Sequence, residues 1–381
     1  MNLSKEQKSA VNLATDMSQK IVAIYGGAGT GKTTLIREIV EQFNGNIHLA
    51  SFTAKAANRI SESTGARAST IHRLLGWMGI GFTVKKINMP VLIDEASMVS
   101  SFLMASIIKA KPPYIVLIGD DAQLSPVGTG APFRDFLKFY PNKCLHLTKS
   151  FRSSAAIFKA TSAIRNGQQP LNSDSSSGET FKVIQCKNTD MTVATLKSWM
   201  NRDGFWDPEQ DILLAAVNDK PGGVKELNKM MVEVFNPREG DEKFLVGDRV
   251  INLKNNSDIE VWNGDTGTIT GIDQSGGFYV CLDREYEGEV HFTKAMQKDL
   301  SLAYCLSVHK SQGSEYRKVI FICLKHHVHS LNRSLIYTAL TRAKQASAVM
   351  GNSYVFHNGI NKVSEKNTII NIMKEGSLIN E

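Results

Sequence analysis

The chain has 381 residues, 42% of them hydrophobic, enough to bury the cores of two or three domains. Charged residues at 21%, with 29 Gly and 10 Pro, exclude a disordered, collagen-like or coiled-coil chain. The formal charge of +7 fits a polyanionic partner or a merely solvated basic surface.

Five scattered cysteines without a C-x-x-C pair argue against a disulfide framework or a structural zinc site. The polar, amphipathic N-terminus lacks a signal-peptide core, and no apolar run approaches the roughly 18 residues that span a bilayer. A soluble, cytoplasmic protein without membrane contact is expected.

In chain order, IVAIY (21–25) reads as a buried strand, followed by a Gly-rich turn and a helix over 33–43 with one apolar face. NIHLASFT (46–53), VLIDE (91–95), YIVLIGD (114–120) and KCLHLT (143–148) read as further buried strands with helices between several of them. Such alternation predicts an α/β domain with a parallel sheet covered on both faces. NSDSSSGE (172–179) is the best linker or loop candidate. A second α/β pattern follows: FKVIQC (181–186), a helix near 189–202, DILLAA (211–216) and a helix near 223–235. From Gly247 to about Lys294, short strands broken by Gly and Asp predict a small inserted β-barrel. KVIFICL (318–324), a helix across 333–343 and SAVMGN (347–352) resume the α/β pattern.

Between the first strand and its helix, GGAGTGKTT supplies G-x-x-x-x-G-K-T, the pattern of a phosphate-binding P-loop. Its residues Gly26, Gly27, Ala28, Gly29, Thr30, Gly31, Lys32, Thr33 and Thr34 form the candidate ATP-binding loop. Backbone amides and a helix N-terminus would surround the phosphates, Lys32 would reach the β- and γ-phosphates, and Thr33 would ligate Mg²⁺. Asp94 and Glu95 end a strand where ligands of parallel sheets sit. Asp94 is the expected Mg²⁺ partner and Glu95 the group that activates the attacking water, although such a pair also caps helices. Gln123, in IGDDAQLSPVG, is placed to sense the γ-phosphate, or sits in an ordinary turn. Arg152 and Arg342 offer guanidinium groups that match a terminal phosphate or form surface ion pairs. If both face the nucleotide, it lies between the two α/β domains.

Taken in order, Gln7, GGAGTGKTT, FTAKAAN, STIHRLL, LIDEASM, GDDAQLSPV, LTKSFRS, VHKSQGSEY and LIYTALTRAK resemble the motifs of superfamily 1 helicases. DEASM, HKSQGSE and the inserted VGDRVINLKNN…VWNGDTGTITGI are closer to the RecD- and Dda-type 1B branch than to the UvrD/Rep branch. The resemblance runs from Gln7 to about Asn352. It implies two RecA-like P-loop NTPase domains, with a short hairpin insertion in the first and an SH3-like β-barrel in the second. The implied boundaries are 1–150 for domain 1A, with its 1B wedge at 76–90, then 151–243 and 302–381 for 2A, and 244–301 for 2B.

The family further implies that Gln7 bonds adenine, Phe151 stacks on the base, Arg152 contacts the γ-phosphate, Gly313 and Glu315 lie on the nucleotide side, and Arg342 is a second arginine finger. Thr53, Lys55, His72, Lys254, Asn255, Ser307 and His309 resemble the residues lining a single-strand channel, where hydroxyl, amide, imidazole and ammonium groups bond phosphates without reading bases. His72 and His309 could instead be packed histidines. The segment 76–90 is short for a family wedge; Trp77, Met78, Ile80 and Phe82 form its tip or cap the sheet as core residues. His326, His327 and His329 in KHHVHS suggest a solvated loop rather than a metal site, and Trp206 and Trp262 suggest packing.

The expected activity is an ATP- and Mg²⁺-dependent motor that moves 5′→3′ on single-stranded DNA and opens forked duplexes, working as a monomer, with a single-strand-binding or replisome protein as a candidate partner. The alternatives are an ATP-switched single-stranded nucleic-acid binding or remodelling protein without strand separation, and a P-loop phosphotransferase. The phosphotransferase leaves HKSQGSEY and TALTRAK without a role.

Overall fold

Short apolar runs joined by helices stack as parallel strands only when both faces of the sheet are covered. The computed structural model, which describes residues 3–151, 155–174, 178–240, 242–283 and 288–363, has this arrangement twice. The chain passes from the first unit to the second at Ser153/Ser154.

The first unit runs through α1 (Lys5–Thr15), β1 (Ile21–Gly26), α2 (Lys32–Gln42), β2 (His48–Ser51), α3 (Ala54–Thr64), β3 (Ala68–Thr70) and the single turn α4 (Ile71–Leu74). It continues with β4 (Val91–Asp94), α5 (Ser101–Lys109), β5 (Ile115–Gly119), α6 (Pro132–Phe139) and β6 (Cys144–Leu147). The sheet order is β3-β2-β4-β5-β1-β6, and every pair is parallel. Side chains alternate across it: Val22, Ile24, Leu92, Val116 and Ile118 join the core under α1 and α2. Ala23, Val91, Ile93, Ile115 and Leu117 face the opposite core with Leu103, Ile107 and Phe133. Because all pairs are parallel, Gly26, Ser51, Thr70, Asp94, Gly119 and Leu147 end their strands at one shared edge.

The second unit contains α7 (Ala155–Arg165), β7 (Ser173–Asp174), β8 (Thr180–Gln185), α8 (Thr189–Met200), β9 (Ile212–Ala215) and α9 (Val224–Phe235). Five antiparallel strands follow: β10 (Arg249–Asn252), β11 (Thr266–Ile272), β12 (Phe278–Leu282), β13 (Glu289–Phe292) and β14 (Leu300–Leu302). The α/β pattern then resumes with β15 (Cys305–Ser307), β16 (Tyr316–Cys323), α10 (Arg333–Leu340), β17 (Ala343–Gly351) and α11 (Ser353–Asn361). Its main sheet has the order β15-β9-β16-β17-β8-β7, parallel except for β7 at the edge. The inserted sheet, β13-β12-β11-β10-β14, closes over its own core of Val250, Val261, Ile269, Phe278, Val280 and Phe292.

Three details differ from the sequence expectation. At the start of the polar stretch 172–179, Ser173 and Asp174 pair antiparallel with Phe181 and Thr180 as an edge strand of the second unit's sheet. β14 and β15 are too short to show a pattern, and only their pairing with β10 and β9 reveals them. His327 is fully buried rather than solvated: Nε2 lies 3.1 Å from the Pro221 carbonyl and Nδ1 3.3 Å from that of Ile322, and burial lowers its pKa. Among the described residues no group of His, Cys, Asp and Glu could hold a metal ion, and no helix is long and apolar enough to cross a membrane.

One carboxylate ties the inserted sheet to the α/β layer of its unit. Asp248, at 0% exposure, accepts hydrogen bonds from the Leu245 N–H at 2.7 Å, Asn236 Nδ2 at 3.0 Å and the Tyr304 hydroxyl at 3.3 Å, and pairs with Arg238. These partners sit where the chain enters the insertion after α9 and where it leaves it before β15. Removing one member of a buried pair strands the other charge. Asp248→Ala should therefore cost about 3–5 kcal/mol in denaturant unfolding, and Asp248→Asn, which keeps an acceptor, should cost less; equal costs would show that the charge, lost in both variants, carries the whole tie, and no loss in Asp248→Ala would show that this carboxylate is not the tie.

Candidate functional site

The phosphate loop follows β1 without interruption. Gly29 and Gly31 have φ of 81° and 79°, left-handed values that suit glycine, and Gly31 caps α2 without a side-chain bond. The first amides of α2 are left for a ligand, as at other anion-binding helix ends. Lys32 Nζ donates to the carbonyls of Gly26 at 2.8 Å and Gly27 at 3.0 Å, so the ammonium is held over the loop. Thr30 Oγ1 donates to the Gly27 carbonyl at 2.9 Å and closes the turn.

Gly26 is where two strands meet the loop. A Cβ there would lie 2.8 Å from the Leu147 carbonyl oxygen, so only glycine lets β6 end against the loop. Four residues on, the Phe151 N–H donates to the Gly29 carbonyl at 2.7 Å, and the phenyl ring is 49% exposed. Gln7 reaches the same place from α1: its Nε2 is 2.5 Å from where a Gly31 Cβ would stand, and Phe151 Cδ2 is 3.5 Å from that point. The Gln7 amide is oriented by a capping box, in which Oε1 accepts the Ser4 N–H at 3.0 Å and Ser4 Oγ accepts the Gln7 N–H at 3.2 Å. Gln7, Gly31 and Phe151 thus converge.

Asp94 ends β4 on the shared edge, and Glu95 follows in a left-handed conformation with φ of 52°. Glu95 stands at the N-cap of the 3-10 turn Ala96–Met98 but makes no side-chain cap bond, so helix capping does not account for it. Such a backbone at a non-glycine residue costs on the order of 1–2 kcal/mol and is typical of functional positions. Burial, and then the neighbouring Glu95 charge, push the Asp94 carboxyl up to about 7. After β5, Asp120 accepts the Ala122 N–H at 3.1 Å and Gln123 Nε2 at 3.3 Å, so the buried Gln123 belongs to an ordered turn.

In the second unit, Glu315 and Arg342 directly precede the paired starts of β16 and β17 (Tyr316↔Ala343) at the amino edge of that sheet. The Arg342 guanidinium is buried and donates to the Thr338 carbonyl at 3.1 Å, the Ser314 carbonyl at 3.3 Å and Thr341 Oγ1 at 3.3 Å. Gly313 uses a φ of 77° in the turn just before Ser314 and Glu315, and Lys344 Nζ lies 3.7 Å from Glu315. Arg152 lies outside the described residues.

The expected strand-contact residues fall into groups. Thr53 and Lys55 follow β2 at the carboxyl edge of the first sheet, where Thr53 Oγ1 caps α3 by accepting the Ala56 N–H at 3.2 Å. His72, in α4, packs beside Phe52, Trp77 and Phe82 with ring centroids 6.0–6.2 Å apart, and desolvation lowers its pKa, which favours the neutral imidazole. In the second unit, Ser307 ends β15 and the exposed His309 follows it. Lys254 and Asn255 are exposed on the inserted sheet beside Asn252 and Phe292, with Asn255 Oδ1 accepting the Asn263 N–H at 2.8 Å.

The short insertion after α4 is a tight hairpin. Trp77 bridges Phe82, the Met78 N–H donates to Gly81 at 3.0 Å and the Thr83 N–H to Gly76 at 3.1 Å. Ile80 is 99% exposed and Met78 71%, so these two are not core residues, while Phe82 packs on the sheet core and against Trp77 at 4.9 Å. Trp206 is buried in the second core, as a packing residue would be, and Trp262 is partly exposed.

Two supporting residues carry no local signature. Glu6 binds Thr148 and Lys149, and Arg134 braces the Gln123 turn by donating to the carbonyls of Asp121 at 2.8 Å and Gln123 at 2.7 Å and to Ser125 Oγ at 3.0 Å. Each partner is remote in sequence or lies in a loop, and no periodicity reports it.

The Asp94 shift makes a stability test. The unfolded chain releases this proton near pH 4, whereas the folded chain holds it to about 7. Folding stability is therefore lost as pH rises through that window. Asp94→Asn, which has no proton to lose, should melt above the parent by a margin that widens between roughly pH 4 and 7 and is constant above; a margin independent of pH in thermal melts would rule out the strained carboxyl.

Three families match in succession: residues 2–189 an AAA domain, 227–281 an ATP-dependent RecD-like DNA helicase SH3 domain, and 302–350 a UvrD-like helicase C-terminal domain. The ATP-dependent RecD2 DNA helicase of Deinococcus radiodurans is 32% identical over 359 residues, covering 90% of this chain and 48% of the relative. The RecD subunit of the RecBCD enzyme of Mycolicibacterium smegmatis is 28% identical, covering 91% of this chain and 71% of that protein. The chain thus spans about half the length of the RecD2 relative. Among solved structures, the Bacteroides Pif1 helicase in complex with ADP-AlF3 and ssDNA superposes with a TM-score of 0.61 at 19% identity, covering 99% of this chain and 97% of the other. Candida albicans Pif1 does so with 0.60 at 18% identity, over the whole of both chains. The fold is that of two RecA-like α/β domains with an SH3-like insertion in the second, and along its length the chain is similar to RecD-type DNA helicases.

Proposed function

We propose that this chain is an ATP-dependent helicase and translocase that moves 5′→3′ on single-stranded DNA and opens forked duplexes. The observation that carries the reading is the convergence, at one sheet edge of the first unit, of a phosphate loop, the Asp94–Glu95 pair and the Gln7–Phe151 base side. On this reading Lys32 and the amides of Gly27–Thr34 hold the phosphates, Gln7 bonds adenine and the open face of Phe151 stacks on it. Glu95 orients the attacking water and Gln123 registers the terminal phosphate. The Asp94 carboxyl, pushed up by burial and then by the neighbouring Glu95 charge, would give up its proton more readily to a divalent cation, which suits one held by Thr33 and Asp94. Mg²⁺ bound there would offset the charge of the β- and γ-phosphates.

Arg152, Arg342, Gly313 and Glu315 are assigned to the nucleotide by their motifs, so that ATP closes the lobes and hydrolysis releases them. Thr53, Lys55, His72, Lys254, Asn255, Ser307 and His309 are assigned to the phosphates of the strand. Solved relatives named for forked double-stranded DNA and for bound ssDNA support a nucleic-acid track. Direction rests on the family. Action as a monomer inside the cell, alongside a single-strand-binding or replisome protein, belongs to the same reading.

Lys32→Ala should abolish DNA-stimulated ATP hydrolysis and leave salt-sensitive strand binding, while Glu95→Gln should bind ATP and lower kcat by at least ~100-fold; normal kcat in either removes that residue from the site. Matched 5′- and 3′-tailed forks test the motor itself, with strand release expected only from the 5′-tailed fork. ATP turnover on single strands with no release from either fork would favour the nucleotide-switched binding protein. The exposed hairpin tip is the candidate wedge, since apolar groups can unstack a base pair. Replacing Met78 and Ile80 together by Asp should leave single-strand-stimulated ATPase intact and cut fork opening by about tenfold or more; unchanged fork opening would show that the strands part elsewhere.

A further inference from the structure

Glu6 sits in the first turn of α1, one residue before Gln7, and the nucleotide scheme above does not use it. Its carboxylate is nevertheless committed. Oε2 accepts the backbone N–H groups of Thr148 at 3.0 Å and Lys149 at 3.1 Å, and Oε1 accepts the Thr148 hydroxyl at 2.5 Å. These bonds, the Thr148 hydroxyl first, hold its pKa below the ordinary carboxylate value.

The segment it grips is the free end of the edge strand. β6 pairs with β1 as far as Leu147↔Gly26, and the chain then leaves the sheet. Phe151 is held further on, through the 2.7 Å bond to Gly29. Between these points the backbone amides of Thr148 and Lys149 have no strand partner, and Glu6 supplies one acceptor for both. Lys149 in turn places its ammonium 5.4 Å from the centre of the Phe151 ring. The same helical turn thus carries Gln7 on one side and, through Glu6, sets the approach of Phe151 on the other. A charged acceptor with three donors is worth more than a neutral bond and leaves little freedom in the linked segment.

We propose that Glu6 is a positioning residue for nucleobase recognition: it locks α1 to the Thr148–Phe151 segment so that the Gln7 amide and the Phe151 ring are set at a fixed separation. This rests on the reading that Gln7 and Phe151 meet the base. The phosphate loop has its own supports in Lys32, Thr30 and the glycine turns, none of which involves Glu6. Loss of Glu6 should therefore weaken the base-dependent share of nucleotide affinity and spare the phosphate-dependent share.

The test compares the Mg²⁺ complexes of a slowly hydrolysed ATP analogue and of inorganic tripolyphosphate, binding to the whole chain by calorimetry. In the parent, the analogue should bind more tightly than tripolyphosphate. Glu6→Ala should weaken the analogue about tenfold and tripolyphosphate by less than about twofold. Glu6→Gln should recover most of the loss, because its Oε1 can accept the two amides while Nε2 donates to the Thr148 hydroxyl, which can reverse its role. Should Glu6→Ala unfold at the assay temperature, Thr148→Val, which removes one bond, should show the same split at smaller size. Equal weakening of both ligands in the variants, or no weakening of either, overturns the proposal. A parent chain that binds both ligands alike would overturn instead the base-side reading beneath it, and one that binds neither the nucleotide reading as a whole.

Discussion

The close approach of two strand ends at Gly26 is the constraint on which the first unit depends. β1 must deliver its last residue into the phosphate loop while β6, its edge neighbour, ends 2.8 Å from where a side chain would begin. A residue with a Cβ there would push β6 away, and with it the segment that returns from Thr148 to Phe151 beside the loop. The phosphate half and the base half of the site are thus joined through backbone contact, and the missing side chain permits it. Parallel pairing does the rest. Asp94 and Asp120 end up on the loop's side of the sheet because β5 lies beside β1 and β4 beside β5, all parallel and ending at the same edge.

The same edge stores strain and unfavourable charge. Glu95 holds a left-handed backbone without the glycine that would relieve it, and the adjacent Asp94 keeps its proton to about 7. Both features lower stability, and neither serves the core, which is complete without them. They are the expected signature of groups arranged for a ligand. The second unit uses polar contacts in the opposite way. Asp248 is satisfied on all sides and joins the inserted sheet to its host layer. Arg342 is likewise engaged by carbonyls of its own turn, which defines the guanidinium position before any partner arrives.

The hairpin at Trp77–Phe82 shows how a short insertion divides its labour. Phe82 packs toward the sheet and against Phe102, and His72 lies among its aromatic neighbours. With that side anchored, Met78 and Ile80 project into solvent from the four-residue tip at 78–81, where they alternate with Gly79 and Gly81. Exposed apolar groups on an anchored turn are costly unless they meet something. Composition alone could not separate them from core residues, because both environments favour the same side chains.

What the sequence determined by itself was everything carried by neighbouring residues. Gly26–Thr34 form one turn and one helix end, so G-x-x-x-x-G-K-T specifies the loop wherever it stands. Runs such as VLIDE and YIVLIGD announce buried parallel strands through their own composition, and the change of rhythm after Gly247 announces the inserted sheet. Tertiary structure alone decided which distant residues share a contact. Glu6 and Thr148 are 142 positions apart, and Arg134 reaches back 9–13 positions into a loop. Strands as short as β14 and β15 exist only because a partner offers its edge. His327 likewise looks solvated in KHHVHS and is buried because the Pro221 carbonyl arrives from 106 residues away. The reason is physical: local patterns record the chain's own propensities, whereas a hydrogen bond between remote groups is set by how whole elements pack, and a single sequence leaves no trace of that geometry.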